Sequence, residues 1–153
     1  MTVHHELPSV LAGPILRHCD QLQFTAWLVT SASVQLRLKL VDTSSNVLFE
    51  QQLNKAQVQE IQVGSQAFIQ LVNVHLPTAV PENEKISYDI LLESGELNAS
   101  ILDLACNLSF EGESLPSYEL RPNIEQMLHG SCRKPHFDSD DGLLQVEQAL
   151  ATA

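Results

Sequence analysis

The sequence predicts an all-β fold, an antiparallel β-sandwich of the immunoglobulin or fibronectin type III kind with a short C-terminal extension. Short runs of alternating apolar and polar residues recur along the chain, and clusters of Pro, Gly, Asn and Ser separate them. The length of 153 residues suits one domain of ordinary size with a sizeable core. These observations together favour four or five short strands packed in two layers.

The first half of the chain carries the clearest strands. Residues 34–40 alternate strictly, with Gln35, Arg37 and Lys39 between apolar positions, so one face of this strand is buried and the other is exposed. The turn-forming residues 42–46 follow, and residues 47–51 are therefore predicted to form the returning arm of a hairpin. Upstream, residues 21–29 predict another strand.

The second half supplies the remaining strands. Residues 68–76 are apolar on both faces and stop at a proline, so we expect a central strand that is covered on both sides. Residues 86–92 alternate again, and Tyr88 is on the inward face. Residues 97–110 fit both a helix and a strand, and we favour a short helix or irregular crossover. Residues 117–120 are predicted to close the sandwich.

Charge and cysteine content exclude several classes of protein. The chain has 8 basic and 19 acidic residues, a formal charge of -11, which repels nucleic acid and anionic membrane surfaces, so neither is expected as a partner. Residues 1–30 lack the pattern of a secretory leader, and no stretch has the length of a membrane span, so we expect a cytoplasmic protein. Cys19, Cys106 and Cys132 are too widely spaced to predict a disulfide framework.

A Gly-Ser-Cys segment within residues 128–136 is the strongest candidate for chemistry. Arg133 and Lys134 follow Cys132, and nearby positive charge favours the thiolate, the form that binds metal or attacks. The alternative is a buried, inert cysteine. Arg133 and His136 are candidate phosphate contacts, although both residue types are common as solvated surface side chains. No other catalytic signature appears in the sequence.

Residues 11–17 and 128–136, together with Trp27, resemble the PhoD-like (alkaline phosphatase D) metallophosphatases. The resemblance implies that residues 1–121 form an N-terminal β-sandwich. It implies further that residues 122–153 are a linker followed by the first strand, loop and helix of a truncated catalytic domain.

In that family, the residue matched by Cys132 is a thiolate ligand of an iron centre. Later segments, which this sequence does not contain, complete the centre with carboxylates and a tyrosine, and calcium assists it. The resemblance therefore implies that the parent protein hydrolyses phosphate esters with iron and calcium. For this chain alone we expect no catalysis and no cofactor.

Trp27 is the candidate contact with the rest of such a parent. It has the opposite parity to the apolar residues of its strand, so it is predicted on the other face. There it would pack against the catalytic domain of the same parent chain, or else be covered by neighbouring side chains; an exposed apolar patch would mark the interface. The second hypothesis is a free-standing β-sandwich that binds a protein partner. The third is a thiol-based redox protein that uses Cys132.

Overall fold

The structure is a computed structural model that describes residues 7–95, 97–105, 108–109 and 112–124. Nine strands and one short helix lie among these residues. They are β1 (Val10–Leu16), β2 (Gln23–Thr30), β3 (Gln35–Val41), β4 (Val47–Gln52), β5 (Val58–Gln62), β6 (Phe68–His75), β7 (Lys85–Ser94), β8 (Leu97–Ser100), α1 (Ile101–Leu104) and β9 (Ser117–Glu119). All of the strand pairs are antiparallel, and the predicted all-β sandwich is confirmed.

The strands form two sheets. The first sheet has the order β1-β2-β6-β5, and the second has the order β4-β3-β7-β8, with β9 also paired to β7. The β2–β6 ladder is regular over its whole length, from Gln23 opposite His75 to Thr30 opposite Phe68. Its regularity fixes which side chains share a face of the first sheet.

The core lies between the two inner faces, where alternate residues of each strand are buried. The largest fully buried side chains include Phe24 and Leu28 of the first sheet, and Leu38 and Ile90 of the second. Three rings join the layers: the centroid of Phe24 lies 5.5 Å from that of Tyr88 and 6.1 Å from that of Tyr118. Burial raises the pKa of Tyr88 to about 12 and also raises that of Tyr118.

Most predicted strands are present within one or two residues of their expected ends. Residues 97–110 contain two elements: Leu97–Ser100 pairs with β7, and the short helix Ile101–Leu104 follows. Ser100 caps that helix by accepting a hydrogen bond from the backbone N–H of Leu102. Strand β5 was not predicted, because Val58–Gln62 is mostly polar and lies exposed at the sheet edge.

The predicted burial of β6 on both faces is wrong. β6 is not covered on both sides: its inner residues are buried, whereas Leu71, Asn73 and His75 on the other face are exposed. Apolar residues on both faces of residues 68–72 suggested two covering layers. The sandwich provides only one layer against this strand among the described residues, and Leu71 is left 38% exposed.

The entry strand β1 depends on a glycine. Gly13 has a φ of +80°, and a Cβ at this position would lie 2.8 Å from the backbone oxygen of Trp27. The ladder between β1 and β2 shifts register on both sides of Ala12. Only glycine adopts this conformation at such close approach, so Gly13 fixes how β1 lies against β2.

The chain divides into two compact units, Met1–Pro122 and Asn123–Ala153. The sandwich belongs to the first unit. The strand, loop and helix expected within residues 122–153 fall on residues 125–153, outside the described part of the chain.

Candidate interaction surface

The outer face of the first sheet carries two apolar rows that run across its strands. Trp27 lies opposite Ile15 on one side and opposite Leu71 on the other. In the next row, Ile69 lies between Val29 and Ile61. We call the six side chains in these two rows the outer patch: Ile15, Trp27, Val29, Ile61, Ile69 and Leu71.

The outer patch is open to solvent. Ile15 is 45% exposed, Ile61 is 41% exposed, and Trp27 is half-buried. An antiparallel sheet with one solvated face normally alternates apolar residues inside with polar residues outside. Contiguous apolar side chains on that outer face are instead typical of an interaction site.

A shallow concavity lies at one side of the outer patch. Its volume is about 440 Å³, and Trp27 and Leu71 are among the residues that line it. The polar side chains around them include Gln59, Asn73 and two cations, Arg17 and Lys55. No carboxylate lines this concavity among the described residues, although the chain as a whole is acidic.

Arg17 reaches the concavity because it continues the pairing of β1 beyond its last residue. The amide of Arg17 donates a hydrogen bond of 2.8 Å to the carbonyl of Thr25. Arg17 is therefore two positions along from Ile15, on the same outer face of the sheet.

Lys55 comes from the turn that leads into β5. The amide of Gln57 donates to the carbonyl of Asn54 at 2.9 Å, and the Asn54 side chain accepts from the amide of Ala56 at 2.8 Å. The amide of Asn73 then donates to the carbonyl of Gln57 at 2.8 Å, which ties the turn to β6. Lys55 is thus presented beside the apolar rows by a hydrogen-bonded turn.

Arg17 and Lys55 differ from the other described cations in their partners. The other four form salt bridges: Arg37 with Glu93 at 3.0 Å, Lys39 with Glu50 at 3.9 Å, Lys85 with Glu113 at 2.7 Å, and Arg121 with Glu119 at 2.9 Å. Neither Arg17 nor Lys55 forms a salt bridge with a described residue. The concavity therefore holds positive charge that the described part of the sandwich does not neutralise.

The structure locates one of the four predicted site residues. Trp27 lies on the outer face, as its parity predicted, and its role at an interface stays a prediction. Cys132, Arg133 and His136 lie outside the described residues. Sequence reasoning missed Arg17, Lys55 and Leu71 as its neighbours. The apolar outer positions of β6 were the available signal, but we interpreted them as evidence of a second covering layer.

Cys19 is half-buried near the rings of the core. Its thiol donates to the carbonyl of Thr25 at 3.8 Å, and burial raises its pKa, so it stays protonated at neutral pH. Within residues 7–124, leaving aside the undescribed positions, no cluster of three or more His, Cys, Asp or Glu side chains is suited to a metal ion. The described helix is too short to cross a bilayer.

No protein-family model matches the chain, and no curated protein matches it. The resemblance to the PhoD-like metallophosphatases is therefore a hypothesis based on the sequence motifs alone.

Proposed function

We propose that this chain is a non-catalytic β-sandwich that binds a protein partner through the outer patch of its first sheet. The observation that supports the proposal most directly is the exposure of two adjoining apolar rows around Trp27. Aromatic side chains of this kind are enriched at the centres of protein interfaces.

The energetics of the outer patch favour a partner over solvent. Full burial of a Leu, Ile or Val side chain contributes about 1.5–3 kcal/mol. The patch has five aliphatic side chains and the Trp27 ring, all already partly buried, so covering each exposed remainder contributes less than full burial, and together these contributions help to offset the cost of association. Without a partner, the exposed parts of these side chains contribute nothing comparable to the stability of the sandwich.

In the first form of the proposal, the chain is the N-terminal accessory domain of a PhoD-like metallophosphatase. The partner is then the catalytic domain of the same parent chain, which the sandwich braces while that domain hydrolyses phosphate esters. Cys132 would be an iron ligand in the parent, Arg133 and His136 would contact phosphate, and calcium would assist. The position of Trp27 on the exposed patch supports this form, since an outward-facing Trp27 is the candidate contact with that catalytic domain.

In the second form, the chain is a free-standing interaction module without a catalytic parent. The two forms differ in what the gene encodes after residue 153. A downstream segment rich in Gly-Asp pairs would support the first form, and a stop codon immediately after Ala153 would exclude it. In both forms, the outer patch is the binding surface.

The same proposal includes the type of sandwich. The first sheet has the strand order β1-β2-β6-β5, which corresponds to the order A-B-E-D of immunoglobulin domains. The second sheet contributes the β3–β7 pair at its centre, as strands C and F do in those domains. We therefore assign the chain to the immunoglobulin or fibronectin-like sandwiches.

Site-specific photocrosslinking in the source cells tests the binding surface. A photoreactive amino acid replaces Leu71 in one variant and Lys39 in a control variant, because Lys39 is on the outer face of the second sheet. We expect a discrete crosslinked product from position 71 only. The crosslinked protein should then be identified and purified. It should bind the unmodified chain, and it should bind the Leu71→Asp variant at least about tenfold more weakly.

Two results would contradict the proposal. Equal crosslinking from positions 39 and 71 would show that the outer patch has no special role. An identified partner that binds Leu71→Asp as tightly as the unmodified chain would place the interface elsewhere. If the crosslinked product is a second copy of the chain, then sedimentation at increasing concentration should show a dimer that Leu71→Asp abolishes, and the patch would be a self-association surface.

A further inference from the structure

The concavity beside Trp27 combines apolar surface with positive charge that has no partner among the described residues. Trp27 and Leu71 form apolar surface, and Arg17 and Lys55 lie around them. In a chain of formal charge -11, the other four described cations are all held in salt bridges. The two that are not held in this way both line the same concavity.

We propose that this concavity binds an acidic protein segment, in which a carboxylate flanks an apolar side chain. The proposal rests on the proposed function and specifies the chemistry of the partner. The apolar side chain packs against Trp27 and Leu71. The carboxylate binds Arg17, whose planar guanidinium offers two parallel donors, and Lys55 adds a second positive charge.

Charge complementarity selects this partner over a basic or neutral one. A basic segment would gain from the net charge of the chain at long range, but it would place its cations against Arg17 and Lys55 on contact. A neutral segment would leave both cations partly desolvated without a counter-charge. An acidic segment satisfies both cations when it covers Trp27 and Leu71.

The polar rim is suited to a peptide. Gln59 and Asn73 line the same concavity, and both carry side-chain amides that donate and accept hydrogen bonds. The side-chain amide of Asn73 already receives a hydrogen bond of 2.9 Å from Gln23 at its oxygen. Its NH2 group has no hydrogen-bond acceptor among the described residues and can donate to a peptide carbonyl.

Fluorescence provides a reporter at this site, because Trp27 is the one tryptophan in the sequence. The probes are three capped peptides that share the core Leu-Phe, flanked on both sides by Asp, by Asn or by Lys. We expect a saturable change in Trp27 emission with the Asp peptide, and at least about fivefold weaker binding of the Asn and Lys peptides.

Matched double variants test the two cations. Arg17→Gln with Lys55→Gln should weaken binding of the Asp peptide by about tenfold and should not weaken binding of the Asn peptide, because this variant has no cations there to desolvate. Arg37→Gln with Lys39→Gln removes the same charge from the outer face of the second sheet, and it should leave both peptides unchanged. A circular dichroism melt of each variant confirms that the sandwich is folded.

Collisional quenching of Trp27 gives a second measurement that needs no peptide. With each ion referred to its quenching of a free tryptophan amide, iodide should quench Trp27 more efficiently than caesium despite the acidic net charge, and acrylamide serves as the neutral control. In the Arg17→Gln, Lys55→Gln variant, the ratio of iodide to caesium quenching should fall by at least about twofold.

The outcomes separate the partner chemistry from the proposed function. Equal binding of the Asp and Lys peptides, absence of binding of the Asp peptide, or an equal response of the two double variants would overturn the acidic-partner inference. Caesium quenching of Trp27 equal to or above that of iodide, each referred to a free tryptophan amide, would overturn it as well. None of these results removes the outer patch as a docking surface, which fails only if the photocrosslinking and Leu71→Asp tests fail.

Discussion

The outer faces of the two sheets differ in chemistry, although both sheets share the same core and the same alternating pattern. On the second sheet, Arg37 pairs with Glu93 at 3.0 Å, and Gln52 donates to the other oxygen of Glu93 at 2.9 Å. Lys39 lies opposite Glu50 on one side and opposite Asp89 on the other. On the first sheet, the corresponding positions hold the outer patch. The outer face of the second sheet is rich in paired charges, and that of the first sheet exposes adjoining apolar side chains.

This difference cannot be explained by the needs of the fold. A sandwich is stabilised by the apolar side chains between its sheets, and the second sheet shows that a polar outer face is compatible with the same core. Exposed apolar side chains add little stability and increase the risk of aggregation. The contrast between the two outer faces therefore supports the proposed binding function.

The largest effect should come from comparing an inner leucine with an outer one. Leu38 is fully buried in β3, whereas Leu71 is 38% exposed on the outer patch. Leu38→Ala should reduce the free energy of unfolding by about 3 kcal/mol, because it removes buried apolar surface and leaves a cavity. Leu71→Ala should cost less than about 1 kcal/mol. Urea denaturation measures both, and equal losses would mean that Leu71 serves the fold rather than a partner.

The second effect concerns the strand that carries one edge of the outer patch. Gly13→Ala should destabilise the sandwich by about 1–3 kcal/mol, because Gly13 has a φ of +80° and its new Cβ would clash with the Trp27 carbonyl. Gly64 is the matched control: its φ is +71°, but a Cβ added there would meet no atom within 4 Å.

Gly64→Ala therefore carries the backbone strain without the clash. We expect Gly13→Ala to be the more damaging change and to shift the emission of Trp27, whereas Gly64→Ala should leave that emission unchanged. Thermal melts and fluorescence spectra provide the two measurements. If both variants behave alike, then the close approach of β1 to Trp27 does not shape the outer patch.

Sequence periodicity was sufficient for the layers of this fold and insufficient for its surface. The strict alternation of residues 34–40 and 86–92 predicted the central strands of the second sheet, because a β-strand places alternate side chains on the same face. Strand β5 was missed because it has little apolar pattern and is recognised only through its pairing with β6. Edge pairing is a tertiary contact that local sequence does not encode.

The outer patch shows the same limitation at a finer level. The sequence contains the two-sided apolarity of residues 68–72, but burial by a second layer and exposure to a partner produce the same pattern. Lys55 is distant from Trp27 in the sequence, and only the β2–β6–β5 register brings them to one concavity. Trp27 could be placed on the outer face by parity alone, and its neighbours could not.

The third effect is the loss of a surface ion pair. The side chains of Arg37 and Glu93 are 35% and 23% exposed. Arg37→Gln should therefore reduce the free energy of unfolding by about 0.5–1 kcal/mol at low salt. The cost should shrink in 1 M salt because the charges are screened. Arg17→Gln should cost nothing measurable, as Arg17 forms no salt bridge with the described residues. If Arg17→Gln reduced the stability as much as Arg37→Gln does, the two outer faces would not differ in how their cations contribute to stability.

The smallest effect should be a loss of stability at acid pH that involves a turn of each sheet. Asp42 lies in the β3–β4 turn, where hydrogen bonds from the side chain and the amide of Asn46, each 2.8 Å long, lower its pKa. Asp20 lies in the β1–β2 connection, where a hydrogen bond of 2.8 Å from the amide of Leu22 lowers its pKa. A lowered pKa in the folded state means stability that is present above the unfolded value and lost as pH falls through the folded value.

Asp42→Asn and Asp20→Asn should therefore reduce the urea midpoint at pH 7, and the difference from the unmodified chain should shrink progressively as the pH falls below the ordinary Asp pKa and through the lowered pKa of the folded state. Asp42→Asn should have the larger effect, because Asp42 also accepts a hydrogen bond of 2.8 Å from the amide of Ser44. A difference that persists unchanged at low pH would assign the effect to side-chain shape rather than charge. If the urea midpoints of the two variants depend on pH in a similar way, then carboxylates stabilise the turns of both sheets. The contrast between the sheets would then lie in their outer faces alone.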